Sequence, residues 1–115
     1  MNTQYDIGIV SGYFNPLHFG HIEYINGAKI QCKELVCIVN NDRQVKIKRA
    51  KKFMGEIHRA NIMYSIKGVD FSLISKDFAG CQCDTIRFIR GIWSNATTAF
   101  FNSGDRTAET IESSE

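Results

Sequence analysis

A chain of 115 residues, 43% apolar, 23% charged and with a formal net charge of +2, carries enough apolar bulk for one modest core and no second domain. No apolar run approaches the about 18 residues of a membrane helix, and the start lacks the basic, apolar and small-residue pattern of a secretion signal, so a cytoplasmic protein is the expectation. Four cysteines, at positions 32, 37, 81 and 83, fit neither a zinc ribbon nor a redox C-x-x-C pair and read as core or incidental residues.

The first apolar run, Ile7-Gly8-Ile9-Val10, is short, rich in β-branched residues and ended by Ser11-Gly12, the pattern of a buried parallel strand. A turn containing Pro16 follows, then a stretch from Gly20 to Ile30 in which Ile22, Ile25 and Ala28 recur at helical spacing. Between strand and helix lies Gly12-Tyr13-Phe14-Asn15-Pro16-Leu17-His18-Phe19-Gly20-His21. A phosphate over such a loop meets unpaired backbone N–H groups and the positive end of a helix, and Gly20 lets the backbone approach closely. His18 and His21 flank that position, where an imidazole can donate a hydrogen bond to a phosphoryl group gaining negative charge. Zinc is the weaker alternative, because the pair lacks a third ligand at metal spacing.

Leu35 to Val39 reads as a second buried strand, followed by a basic loop with six cations: Arg43, Lys46, Lys48, Arg49, Lys51 and Lys52. Such a run alone also suits nucleic acid, but no second basic stripe accompanies it and the aromatics fall mostly on apolar runs, so nucleic acid is not the expected partner. Gly55 to Ile66 is predicted helical, with Ile57, Ala60, Met63 and Tyr64 on one face. Phe71 to Ile74 is a short strand and Ser75 to Gln82 a loop. Asp84 can cap a helix carrying Ile86, Ile89 and Trp93, and Thr97 to Phe101 supplies a fourth strand. Strands alternating with helices imply an α/β, three-layer, Rossmann-like parallel sheet over residues 1–106, with a polar acidic tail over 107–115. The loops after Val10, Val39 and Phe101 all lie at carboxyl ends of strands, where one pocket can collect His18, His21, Asp42 and Asp105.

At the His18-Phe19-Gly20-His21 segment, an HxGH motif, the chain resembles the nucleotidylyltransferase superfamily, in particular the cytidylyltransferase-like group related to glycerol-3-phosphate cytidylyltransferase. Further blocks are collinear with that family: Val39-Asn40-Asn41-Asp42, Phe53-Met54 with Arg59, Ile66-Lys67-Gly68-Val69-Asp70, and Asn102-Ser103-Gly104-Asp105-Arg106. The resemblance implies attack by an acceptor phosphate oxygen on the α-phosphorus of CTP, with ATP next, releasing pyrophosphate, with Mg²⁺ bridging the triphosphate oxygens. It gives His18, His21 and Lys46 catalytic roles and assigns Tyr13, Phe14, Asn15, Gly20, Asp105 and Arg106 to the nucleotide along with the histidines. Lys46, Lys48 and Arg59 would neutralise substrate phosphates, the acceptor being a small phosphorylated alcohol or sugar. For Arg59 an exposed helix arginine is the alternative.

Relatives continue past the Gly-Asp-Arg loop into another strand and a serine- or threonine-rich helix start, whereas here no apolar strand is expected beyond Arg106. Two readings follow: an active transferase, with an exposed sheet edge that invites pairing and a homodimer partner to complete it, or a shortened, non-catalytic nucleotide-binding module with a regulatory or assembly role.

Overall fold

The computed structural model describes residues 3–78, 82–101 and 108–110. In chain order these form β1 (Tyr5–Gly12), α1 (Phe19–Lys29), β2 (Cys32–Val39), α2 (Asp42–Ile47), α3 (Glu56–Tyr64), β3 (Phe71–Ile74), α4 (Cys83–Ile92), β4 (Thr98–Phe101) and β5 (Ala108–Thr110). The sheet order is β3-β2-β1-β4-β5; the first four strands are parallel and β5 runs antiparallel to β4. The α/β, Rossmann-like parallel sheet expected from the sequence is thus present.

Alternation along the strands divides the core between the two faces of the sheet. On one face Val10, Leu35, Cys37 and Phe101 pack with Tyr24, Ile25 and Ala28 of α1 and Met63 of α3. On the other, Ile7, Ile9, Val36 and Ile38 meet Ile89, Ile86 and Trp93, the predicted apolar stripe of the last helix. Strands buried on both faces must be apolar at successive positions, which is why β1 and β2 read as continuous runs. Cys32 and Cys37 belong to this core, and burial pushes their thiols up to about 11 and about 12, so both stay protonated at neutral pH. No described helix is long and apolar enough to cross a membrane.

Four local expectations are corrected. The basic loop begins as a helix: Asn41 Oδ1 accepts the Gln44 N–H at 2.8 Å and Gln44 Oε1 accepts the Asn41 N–H at 2.9 Å, a reciprocal cap that starts α2. On α3 the buried pair is Arg59 and Met63, four residues apart, while Ile57 and Tyr64 are exposed, because the helix turns its guanidinium rather than its isoleucine inward. The start of α4 is held by Asp77 and not by Asp84: Asp77 Oδ2 accepts the Asp84 N–H at 2.9 Å and Oδ1 the Thr85 N–H at 3.0 Å. Finally, the segment read as a tail contains β5, which pairs Ala108 with Phe101 and Thr110 with Ala99. β4 therefore carries a neighbour, and among the described strands β3 has only β2 beside it.

Candidate active site at the end of the first strand

Strand order reverses between β1 and β4, and β1 delivers the chain to the carboxyl end of the sheet at that point. The turn that leaves it is tight. A Cβ on Gly12 would lie 2.9 Å from Cζ of Phe14, whose buried ring tucks back under the turn with its own backbone left-handed at φ 49°. Asn15 then fastens the loop to the segment between α2 and α3, donating to the Lys51 carbonyl at 2.6 Å and accepting the Phe53 N–H at 2.9 Å. Its peptide bond to Pro16 is cis.

The two histidines open α1 by capping each other's backbone. His18 stands at the N-cap, its Nδ1 accepting the Gly20 N–H at 3.1 Å; Nδ1 of His21 accepts the His18 N–H, also at 3.1 Å. Imidazoles here do what a Ser/Thr and Glu/Gln pair does in an ordinary capping box. A ring nitrogen that accepts a hydrogen bond carries no proton, so the neutral tautomer of each ring holds its hydrogen on Nε2. The rings stack, with centroids 3.8 Å apart and planes 24° from parallel, and Phe14 sets its ring against His21 at 4.9 Å. Gly20 serves this stack directly: a Cβ there would come within 3.0 Å of His18 Cε1. Burial, and then the neighbouring His18 charge, hold the His21 pKa below its ordinary 6.5, so His21 is mostly neutral at pH 7.

An open cleft of about 360 Å³ lies over this turn, lined among others by Tyr13, Phe14, Asn15, His18, His21 and Lys48. Lys48, the residue after α2, places its ammonium 4.2 Å above the Tyr13 ring. Lys46 is exposed on α2 and lines a neighbouring groove of about 770 Å³ with Arg43 and Lys52. The structure therefore brings Lys48 to the histidines and sets Lys46 one groove away. Asp42 also departs from the expected common pocket: it lines the second groove, with Arg59 at 2.7 Å and Lys52 at 3.6 Å from its carboxylate. Asp105 and Arg106 lie outside the described residues.

Arg59 is neither an exposed helix residue nor a side chain open to the cleft. Its guanidinium is fully buried and donates from Nε to the Met54 carbonyl at 2.9 Å, from Nη1 to the carbonyls of Tyr13 at 3.0 Å and Asn40 at 2.6 Å, and from Nη2 to Asp42. It ties the end of β2, the histidine loop and the start of α3 into one knot.

Tyr24 is a further site residue, absent from the set that the sequence motif points to. It lies three positions after His21 on the same helix, lines the histidine cleft, and its hydroxyl accepts the Ser11 N–H at 3.2 Å while donating to the Phe101 carbonyl. Its spacing from His21 was the available signal.

Among the described residues no group of three or more His, Cys, Asp or Glu side chains is placed to hold a metal ion, and none of the described residues lining the histidine cleft is a carboxylate. Mg²⁺ is usually held by one or two carboxylates with substrate phosphates and water, so an ion in this cleft would have to take its ligands from a triphosphate and water.

The chain is similar in sequence and fold to several known proteins. The chain is 33% identical over 94 residues to the FAD synthase of Methanosphaerula palustris, covering 82% of this chain and 58% of that protein. It is 30% identical over 73 residues to the bifunctional protein HldE of Nitrobacter winogradskyi, 62% of this chain but only 15% of that protein. The chain thus spans a minor part of HldE and somewhat over half of the FAD synthase. Among solved structures, a lipopolysaccharide core biosynthesis protein from Thermoplasma volcanium superposes with a TM-score of 0.62 at 25% identity, over 76% of this chain and 68% of that one. Because the cytidylyltransferase-like family pattern matches residues 9–112, from the middle of β1 to beyond β5, this chain belongs to the cytidylyltransferase-like family of the nucleotidylyltransferase superfamily.

Proposed function

We propose that this domain transfers a nucleoside monophosphate from CTP, or from ATP, to a small phosphorylated alcohol or sugar. An acceptor phosphate oxygen bonds to the α-phosphorus, the bridge between the α- and β-phosphates breaks, and pyrophosphate leaves with the bridging electrons. The reading is carried by the two stacked imidazoles, each with Nδ1 committed to backbone and Nε2–H left to donate beside a helix N-terminus. In it the Nε2–H groups of His18 and His21 bind the non-bridging oxygens of the α-phosphate, where negative charge builds in the transition state. The backbone of Tyr13, Phe14, Asn15 and Gly20 shapes the nucleotide cradle, and Asp105 and Arg106 approach base or ribose.

Lys48, already in the cleft, neutralises the leaving pyrophosphate. Lys46, with Arg43 and Lys52 around the second groove, meets the acceptor phosphate. Arg59 contributes by holding the Tyr13 carbonyl in place. Mg²⁺, if bound with the triphosphate, would supply further charge neutralisation. The FAD synthase relative, whose product contains an adenylate, keeps ATP beside CTP as donor.

A second reading, a module that binds nucleotide without turning it over, draws on one observation: the Arg59 guanidinium is committed to three carbonyls and a carboxylate, leaving fewer cations for a triphosphate. Pyrophosphate release from CTP and ATP, with Mg²⁺ and a panel of small phosphate esters, separates the two. Acceptor-dependent release that disappears in His18→Ala is the expected result. Nucleotide binding without release from any pair would establish the module instead.

A further inference from the structure

The two central strands part company at their carboxyl ends. β1 stays paired with β2 as far as Gly12↔Val39, but its pairing with β4 ends at Ile9↔Phe100. One oxygen spans the opening: the Tyr24 hydroxyl accepts the Ser11 N–H from one strand and donates to the Phe101 carbonyl of the other. Tyr24 is 93% buried, sits one helical turn after His21, and borders the same cleft as both histidines.

Burial alone would hold an apolar residue at this position on α1, as it holds Ile25 and Ala28. Apolar contact, however, is non-directional and tolerates sliding and rotation of the helix over the sheet. Two hydrogen bonds to strands on either side of a gap do not, since donor and acceptor directions are both fixed. Tyr24 lies one turn behind the first turn of α1, which carries the imidazoles, so the pitch and depth it gives the helix set where their Nε2 atoms point.

We infer that Tyr24 is a positioning residue for the two imidazoles: by bridging Ser11 of β1 and Phe101 of β4, its hydroxyl fixes the first turn of α1, and with it His18 and His21, over the strand-order reversal. The consequence for catalysis rests on the transferase reading, whereas the consequence for ring geometry does not.

The test is Tyr24→Phe in the whole chain, which keeps the ring packing and removes one oxygen bordering a cleft that water can enter, with Ile25→Val as a control that thins the packing of the neighbouring position and leaves the hydroxyl in place. Two quantities are read: the ring ¹⁵N and ¹H resonances of His18 and His21 in the free protein, and the kinetics of acceptor-dependent pyrophosphate release. The expected result is that Tyr24→Phe shifts both sets of ring signals toward a mixture of tautomers while Ile25→Val does not. In kinetics, kcat should fall about tenfold with nucleotide Kd changed by no more than about twofold, because misplaced donors weaken the transition state more than the ground state. Ring signals identical to wild type in Tyr24→Phe, or shifted equally in Ile25→Val, overturn the inference. If the unaltered chain binds nucleotide but transfers nothing, the transferase reading fails on its own, and positioning by Tyr24 is still decided by the ring signals.

Discussion

The histidine pair and Arg59 make an instructive contrast, because both are strong hydrogen-bonding groups at the carboxyl end of the same sheet. Each histidine commits Nδ1 to backbone, keeps Nε2 outside those bonds, and lines the cleft at a helix start, the kind of position that favours an anion. Arg59 commits its guanidinium to carbonyls of Tyr13, Asn40 and Met54 and to Asp42, with no surface left to solvent. One region is held in place and still has a donor to offer; the other spends its donors on doing the holding. Residue type alone does not separate them. What separates them is how many of a group's hydrogen-bonding positions the fold has already occupied.

That contrast can be broken by substitution. His18→Ala or His21→Ala should lower turnover about 100- to 1000-fold, the usual loss of a preorganised donor, while costing only about 1 kcal/mol of stability through the lost cap. Steady-state kinetics beside urea denaturation would show it, and a variant with unchanged turnover would remove the histidines from the chemistry. Arg59→Met should do the reverse, removing about 3 kcal/mol of stability because three carbonyls and the Asp42 carboxylate lose their donor together. Urea midpoints compared with Arg59→Lys would sharpen the point, since a single ammonium cannot reach all four acceptors. If Arg59→Met proves as stable as the parent, the knot is not structural.

Gly20→Ala probes the space between the regions. The added Cβ displaces the His18 ring, and turnover should drop about tenfold. Helix stability should meanwhile hold or rise, by up to about 1 kcal/mol, because alanine is the better helix former. A fall in both would mean that the cap has collapsed and not merely shifted.

The smallest effect is expected at Asp77, which holds the start of α4. Burial pushes this carboxyl up, but hydrogen bonds from the Thr85 side chain, the Asp84 and Thr85 backbone and Ser75 outweigh it and hold the pKa below its ordinary 3.8. A carboxylate with a depressed folded pKa stabilises above its unfolded value and loses that contribution as pH falls through the folded one. Asp77→Asn should therefore cost about 1 kcal/mol at pH 7 and flatten the loss of stability below about pH 4, as followed by thermal melts across pH.

Much of this architecture is legible along the chain because burial leaves a periodic mark. β1 and β2 announce themselves as unbroken apolar runs, and the Ile86, Ile89 and Trp93 stripe lands on the core as its spacing requires. The start of α2 was also marked, by Asn41 and Gln44 three residues apart, though its basic content disguised it as a loop. Asp77 carried no such mark, since it caps a helix that begins six residues later and across a loop. The strand at Ala108–Thr110 is short and mostly polar, so only its partner β4 gives it an identity.

Local order along the chain was enough to place two imidazoles and a glycine after a buried strand, because the interactions that form that turn, caps and close approaches, join residues a few positions apart. Which cation faces the histidines, and which one disappears into the fold, depended on segments brought together from distant parts of the chain. Lys46 and Lys48 differ by two positions on a helical path, and that rotation sends them to different grooves. Arg59 finds its acceptors at positions 13, 40, 42 and 54, a set that exists only once β1, β2 and α3 have packed.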